Sequence, residues 1–113
     1  MDAELKTRIW VDALRWRAEG GGAAFYLVKR GDPDAGCVLV RASDMVGMVR
    51  LYAGARDFEG ARVWMEPLGP GPVEPERAAG YVARRLEDDP DLWVVEIEDR
   101  DGRHFLTEPI EKS

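Results

Sequence analysis

The chain has 113 residues, 45% hydrophobic and 34% charged, with 16 basic and 22 acidic side chains and a formal charge of −6. That length suits a single domain over residues 1–113, since domains most often run ~100–150 residues, and the composition excludes a disordered chain. The acidic balance disfavours nucleic-acid binding, which rests on Lys and Arg displacing counterions from phosphates. No apolar stretch approaches the roughly 18 residues of a membrane span.

The first element expected is a helix over Thr7–Glu19, stopped by Gly20-Gly21-Gly22. At 100° per residue Ile9, Ala13 and Trp16 fall together, Trp10 and Leu14 lie beside them, and Val11 lies outside the arc. So wide an apolar arc asks for cover on more than one side, from the domain itself or from a second copy. Ala24–Arg30 and Cys37–Ala42 read as strands flanking the Gly-, Pro- and Asp-rich loop Gly31–Gly36, and hence as a hairpin. Gly47–Ala53 alternates, with Val49, Leu51 and Ala53 opposite Met48, Arg50 and Tyr52. Arg62–Glu66 alternates too, putting Val63 and Met65 opposite Trp64.

Leu68–Pro75 is too rich in Pro and Gly for regular structure. A second helix follows, with Pro75 in its first turn, a stripe of Ala78, Ala79, Val82 and Leu86, and a stop at Asp89-Pro90. Leu92–Glu98 is the clearest strand, and Asp101-Gly102 predicts a hairpin returning through Arg103–Thr107, leaving a short polar tail over 109–113. The expected fold is α+β, in the order α-β-β-β-β-α-β-β. Its sheet of five to six strands should be mostly antiparallel, because the connections are short, with both helices on one face.

Three stretches, Lys6–Leu14 (KTRIWVDAL), Arg30–Gly36 (RGDPDAG) and Asp89–Leu106 (DPDLWVVEIEDRDGRHFL), resemble a bacterial family of unknown function, DUF1491. The resemblance spans nearly the whole chain and departs from the family's pattern at Leu14-Arg15-Trp16-Arg17. It implies a small bacterial cytoplasmic domain without an assigned activity, and it supplies no catalytic residue.

The familiar chemistries each lack a part. Cys37 is the only cysteine, so no intrachain disulfide is available, and in its apolar run it reads as a small buried hydrophobe. No basic-then-apolar leader is visible at the N-terminus, and a cytoplasmic location is expected. Neither glycine cluster continues as a phosphate loop. A calcium loop ending at Glu108 would put Ile97 where a carboxylate ligand belongs. Arg30-Gly31-Asp32 carries no meaning as a tripeptide in an intracellular chain. His104 is the only histidine and lacks a nucleophile at recognisable spacing. No cofactor, metal site or catalytic residue is assigned.

Two functions from different classes remain. The first is a non-enzymatic protein-interaction or homodimerisation module, whose partner is a second copy or another protein, with Trp10, Val11, Trp16 and Trp64 as interface residues. The alternative is a small hydrolase or ligand-binding enzyme using loop carboxylates. Its candidate residues are Arg30, Asp32 and Asp34, with His104 as a further acid–base group, and it requires two of these groups to converge in one pocket.

Overall fold

The computed structural model describes residues 6–111. Along the chain lie α1 (Thr7–Gly20), β1 (Ala24–Lys29), β2 (Val38–Ser43), β3 (Val49–Arg56), β4 (Arg62–Met65), α2 (Pro75–Asp88), β5 (Trp93–Glu98) and β6 (Ile110–Glu111). The strands form one sheet in the order β1-β5-β2-β3-β4-β6. It is mixed rather than mostly antiparallel. β1 with β5, β2 with β3 and β3 with β4 are antiparallel, whereas β5 with β2 and β4 with β6 are parallel.

The cause lies in β5, which is apolar on both faces. Trp93, Val95 and Ile97 pack into one core with α1, and Val94, with Leu92 just before the strand, packs into another with α2. Such a strand requires neighbours on each side and cover above and below. It therefore inserts between β1 and β2, and the expected β1–β2 hairpin does not form. The helices accordingly lie on opposite faces, not on one. α1 buries Trp10, Val11, Leu14 and Ala18 against Val38, Val40, Tyr52, Trp64 and the β5 residues of its face. Under α2, Tyr81, Val82 and Leu86 pack on Leu39 and Ala53, and Ala78 meets Val49 and Val73.

This geometry corrects the reading of α1. Its buried stripe is Thr7, Trp10, Val11, Leu14 and Ala18, at ordinary helical spacing. Ile9 and Trp16, placed at the centre of the apolar arc, face solvent instead. Trp64, assigned to a polar strand face, is fully buried because both faces of the sheet are covered. Cys37 is exposed, since it precedes β2 rather than lying within it.

The chain after β5 differs as well. Asp101-Gly102 does turn, with Gly102 at a φ of 71° and its N–H donating to the Asp99 carbonyl. Arg103–Thr107 then forms no strand, and Phe105 adopts a left-handed φ of 61°. The segment crosses α1 and enters the sheet as β6, where the Trp64 N–H donates to the Pro109 carbonyl at 2.9 Å. The stretch read as a tail thus includes an edge strand.

The loop after β1 sits hard against the start of β5. A Cβ on Gly31 would run into the Asp91 carbonyl and the Trp93 ring. Gly31→Ala is therefore expected to cost about 1–3 kcal/mol through overpacking, read as a lower urea midpoint at unchanged slope.

Candidate functional site

The loop Arg30–Gly36 is built into the fold through its backbone. α1 has no side-chain cap; instead its Thr7 and Arg8 N–H groups donate to the carbonyls of Asp34 (3.3 Å) and Pro33 (3.0 Å). The Thr7 hydroxyl donates to the Gly36 carbonyl at 3.1 Å. The Trp93 indole N–H donates to the Asp32 carbonyl at 2.7 Å, and the Arg30 guanidinium lies 5.5 Å from the Trp93 ring centroid. The Asp32 carboxylate accepts the Ala35 N–H at 2.9 Å, closing the turn, and Asp34 makes an exposed ion pair with Lys6. These are the bonds of a helix support. Asp34 borders a small cavity of about 150 Å³ and His104 a different, larger cleft, so the expected convergence of these groups is not seen there.

Of the residues offered for an interface, Trp10, Val11 and Trp64 are taken up by the chain's own core. Trp16 stands out of α1 with 82% of its surface exposed. Ile9, Met45, Val46 and Phe58 are exposed too, and a run of three, Tyr26, Leu27 and Val28, stands on β1 at the edge of the sheet.

The larger cleft, about 750 Å³ and open to solvent, lies beside β3 between the β2–β3 turn and the segment after β5. β3 contributes Arg50 and Tyr52 from one face, Glu66 follows β4, and His104 comes from the crossing segment. The His104 ring meets Tyr52 edge-on, 5.1 Å between centroids and 72° between planes. Its Nδ1 accepts the Leu106 N–H at 2.8 Å, which fixes the neutral tautomer with hydrogen on Nε2. Burial lowers the His104 pKa, Arg50 adds to this and Glu66 opposes it. Burial likewise raises the Tyr52 phenol pKa, against the pull of Arg50 and with the help of Glu66. Among the described residues no group of three or more His, Cys, Asp or Glu gathers as a metal site, and no helix is long and apolar enough to cross a membrane.

Two carboxylates strap the crossing segment to α1 and to the preceding turn. Glu108 bridges two indoles: Trp10 Nε1–H donates to Oε2 at 2.9 Å and Trp64 Nε1–H to Oε1 at 3.0 Å. The two rings stand 5.1 Å apart, with the Arg62 guanidinium 5.4 Å from Trp10. Desolvation works to raise the Glu108 pKa, but the two indole bonds and Arg62 outweigh it and the net direction is down. Asp99, almost fully buried, accepts from the Arg103 side chain at 2.8 and 3.0 Å and from the Arg103 and Asp101 N–H groups. The Arg103 bonds overcome burial and hold its carboxyl at about 2. Arg103 also donates to the Gly21 carbonyl, and Arg17 to that of Phe105. Sequence reading weighed Glu108 only as a calcium ligand and rejected it. The buried tryptophans, each needing an acceptor for its N–H, were the available signal.

Comparison with known proteins finds a family model, protein of unknown function (DUF1491), matching residues 5–107. Two solved structures of a DUF1491 family protein from Caulobacter crescentus CB15 resemble this chain. The crystal structure is 50% identical with a TM-score of 0.88, covering 96% of this chain and 100% of that one. The NMR structure is 51% identical with a TM-score of 0.86, covering 98% and 100%. The solution structure of protein Atu0922 from A. tumefaciens is 29% identical, with a TM-score of 0.81 and coverage of 98% and 100%. A comparison with curated proteins yields no match.

Two outcomes follow from the straps. Glu108→Ala leaves two indole N–H groups without their acceptor and is expected to cost about 2–4 kcal/mol in urea unfolding. Asp99 and Glu108 both have folded pKa values below their unfolded ones, so their contribution is full above roughly pH 4 and is lost as pH falls through the folded values. His104, also lowered, subtracts stability as pH falls below roughly 6.5. A pH series of urea midpoints should therefore fall in two stages on acidification, and His104→Gln should remove the upper one.

Proposed function

The chain belongs to the DUF1491 family of proteins of unknown function, and within it we propose a non-enzymatic interaction domain that self-associates through the edge strand β1. The observation that carries this reading is the exposure of Tyr26, Leu27 and Val28 on that strand. An edge strand offers unpaired N–H and C=O groups to another strand, and soluble proteins ordinarily blunt such edges with charge or cover. Here three consecutive large side chains are apolar or aromatic, and Lys29 turns its ammonium back onto the carbonyls of Arg30, Pro90 and Leu92.

A second copy is the partner that suits the edge. Antiparallel pairing of β1 with itself is isologous and closes as a dimer. It brings the basic end, Lys29-Arg30, toward the Ala24 end of the other copy, where Glu98 stands in register on β5. The break in register between Leu27 and Lys29 confines regular pairing to the first part of the strand. α1, packed on β1, carries the exposed Ile9 and Trp16, apolar area of the kind that a stable interface of ~800 Å² per partner needs beyond one strand. The alternative, a hydrolase working through Asp32 and Asp34, draws no support from a loop whose backbone serves α1 and β5 and whose carboxylates hold the Ala35 N–H and Lys6.

Sedimentation at micromolar concentrations tests the proposal. A dimer is expected, with β1 amides protected from hydrogen exchange and losing that protection on dilution. Tyr26→Lys with Val28→Lys, both at exposed positions, should yield a folded monomer. A wild-type monomer, or a double variant that remains dimeric, overturns the reading.

A further inference from the structure

We propose that the cleft beside β3 binds a small zwitterion, an α-amino acid with an apolar side chain. Its wall presents two opposite charges, Arg50, whose side chain bonds the Tyr52 phenol, and Glu66. Among the described residues neither Arg50 nor Glu66 has an ion-pair partner, although the chain forms such pairs at Lys6–Asp34, Arg15–Glu19, Arg41–Glu96 and Asp99–Arg103. Arg50 and Tyr52 share a face of β3, the Ala53–Met65 pairing sets Glu66 beside Tyr52, and the His104 ring lies against Tyr52, so the two charges flank one spot rather than two. A ligand bearing one carboxylate and one ammonium satisfies both without leaving an unmatched charge.

The neutral groups between them fit the same ligand. The Leu106 N–H occupies His104 Nδ1, which leaves Nε2–H as a donor for a carboxylate oxygen beside Arg50. On the β4 side, Glu66 is the acceptor for the ammonium. Met48, Phe105 and Ile110 add apolar lining, and a flexible thioether accepts aliphatic side chains of varied shape. A multiply charged anion such as a nucleotide is disfavoured. The cleft holds the acids Asp44, Glu66 and Asp101 against Arg50 and Arg103, and the Arg103 guanidinium is already bonded to Asp99 and Gly21.

The inference is independent of the β1 edge, and its test reads individual residues. The ¹⁵N-labelled full chain is titrated with L-leucine, with N-acetyl-L-leucine, which keeps only the anion, and with L-leucinamide, which keeps only the cation. L-leucine should give saturating amide shifts at Arg50, Glu66 and His104, and each analogue should bind at least about tenfold more weakly. Arg50→Gln and Glu66→Gln should each weaken L-leucine binding by about tenfold while retaining a dispersed spectrum. The proposal is overturned if no saturation appears by ~10 mM, if either single-charge analogue binds as well as leucine, or if the shifts lie outside the cleft.

Discussion

A strand buried on both faces has no place at the edge of a sheet, and the position of β5 governs the molecule. Leu92 to Val95 are all buried, with side chains alternating between the α1 and α2 cores. Given that pattern, β5 must be central and both sheet faces must be roofed. α2 carries the chain from β4 across one face, so that β5 enters parallel to β2. β1 is displaced outward to the edge. The chain leaving β5 is then on the far side of β2 and β3 from β4, and reaches β6 only by crossing the α1 face.

The local readings held where local chemistry decides structure. The glycines after Glu19, Pro75 at a helix start and the Asp101-Gly102 turn are each recognisable from a few residues, and they mark ends and turns of the observed elements. Pairing was read less well, because it depends on which strand is buried twice. Short connections argued for an antiparallel order, yet the β1–β2 loop spans an inserted strand and β4 to β5 is bridged by a helix. The DUF1491 resemblance was legible in the motifs, and it carries no residue role with it.

The candidate loop shows why polar loop residues mislead. Arg30, Asp32 and Asp34 have the composition of a site, but the groups that matter are backbone carbonyls, which any sequence possesses. Sequence cannot reveal that a loop carbonyl will meet the first N–H of a helix or an indole N–H. The converse holds for the cleft: Arg50 and Tyr52 are two residues apart on one strand, but Glu66 and His104 join them only through the fold. Among these residues only His104, the single histidine, stands out from sequence as an acid–base group.

The Glu108 bridge also bears on how the chain is made. Its partner Trp10 lies 98 residues earlier, so the Trp10 indole N–H gains its acceptor only when almost the last described residue has been made. Closing so long a loop carries an entropic cost that grows only with the logarithm of its length, but no local contact can stand in for it. Until then Trp10, Val11 and Leu14 lack the cover that β5 and the crossing segment supply, at a few residues added per second or faster. Within this domain the nascent chain is thus most exposed to aggregation, and most in need of chaperone cover, at α1.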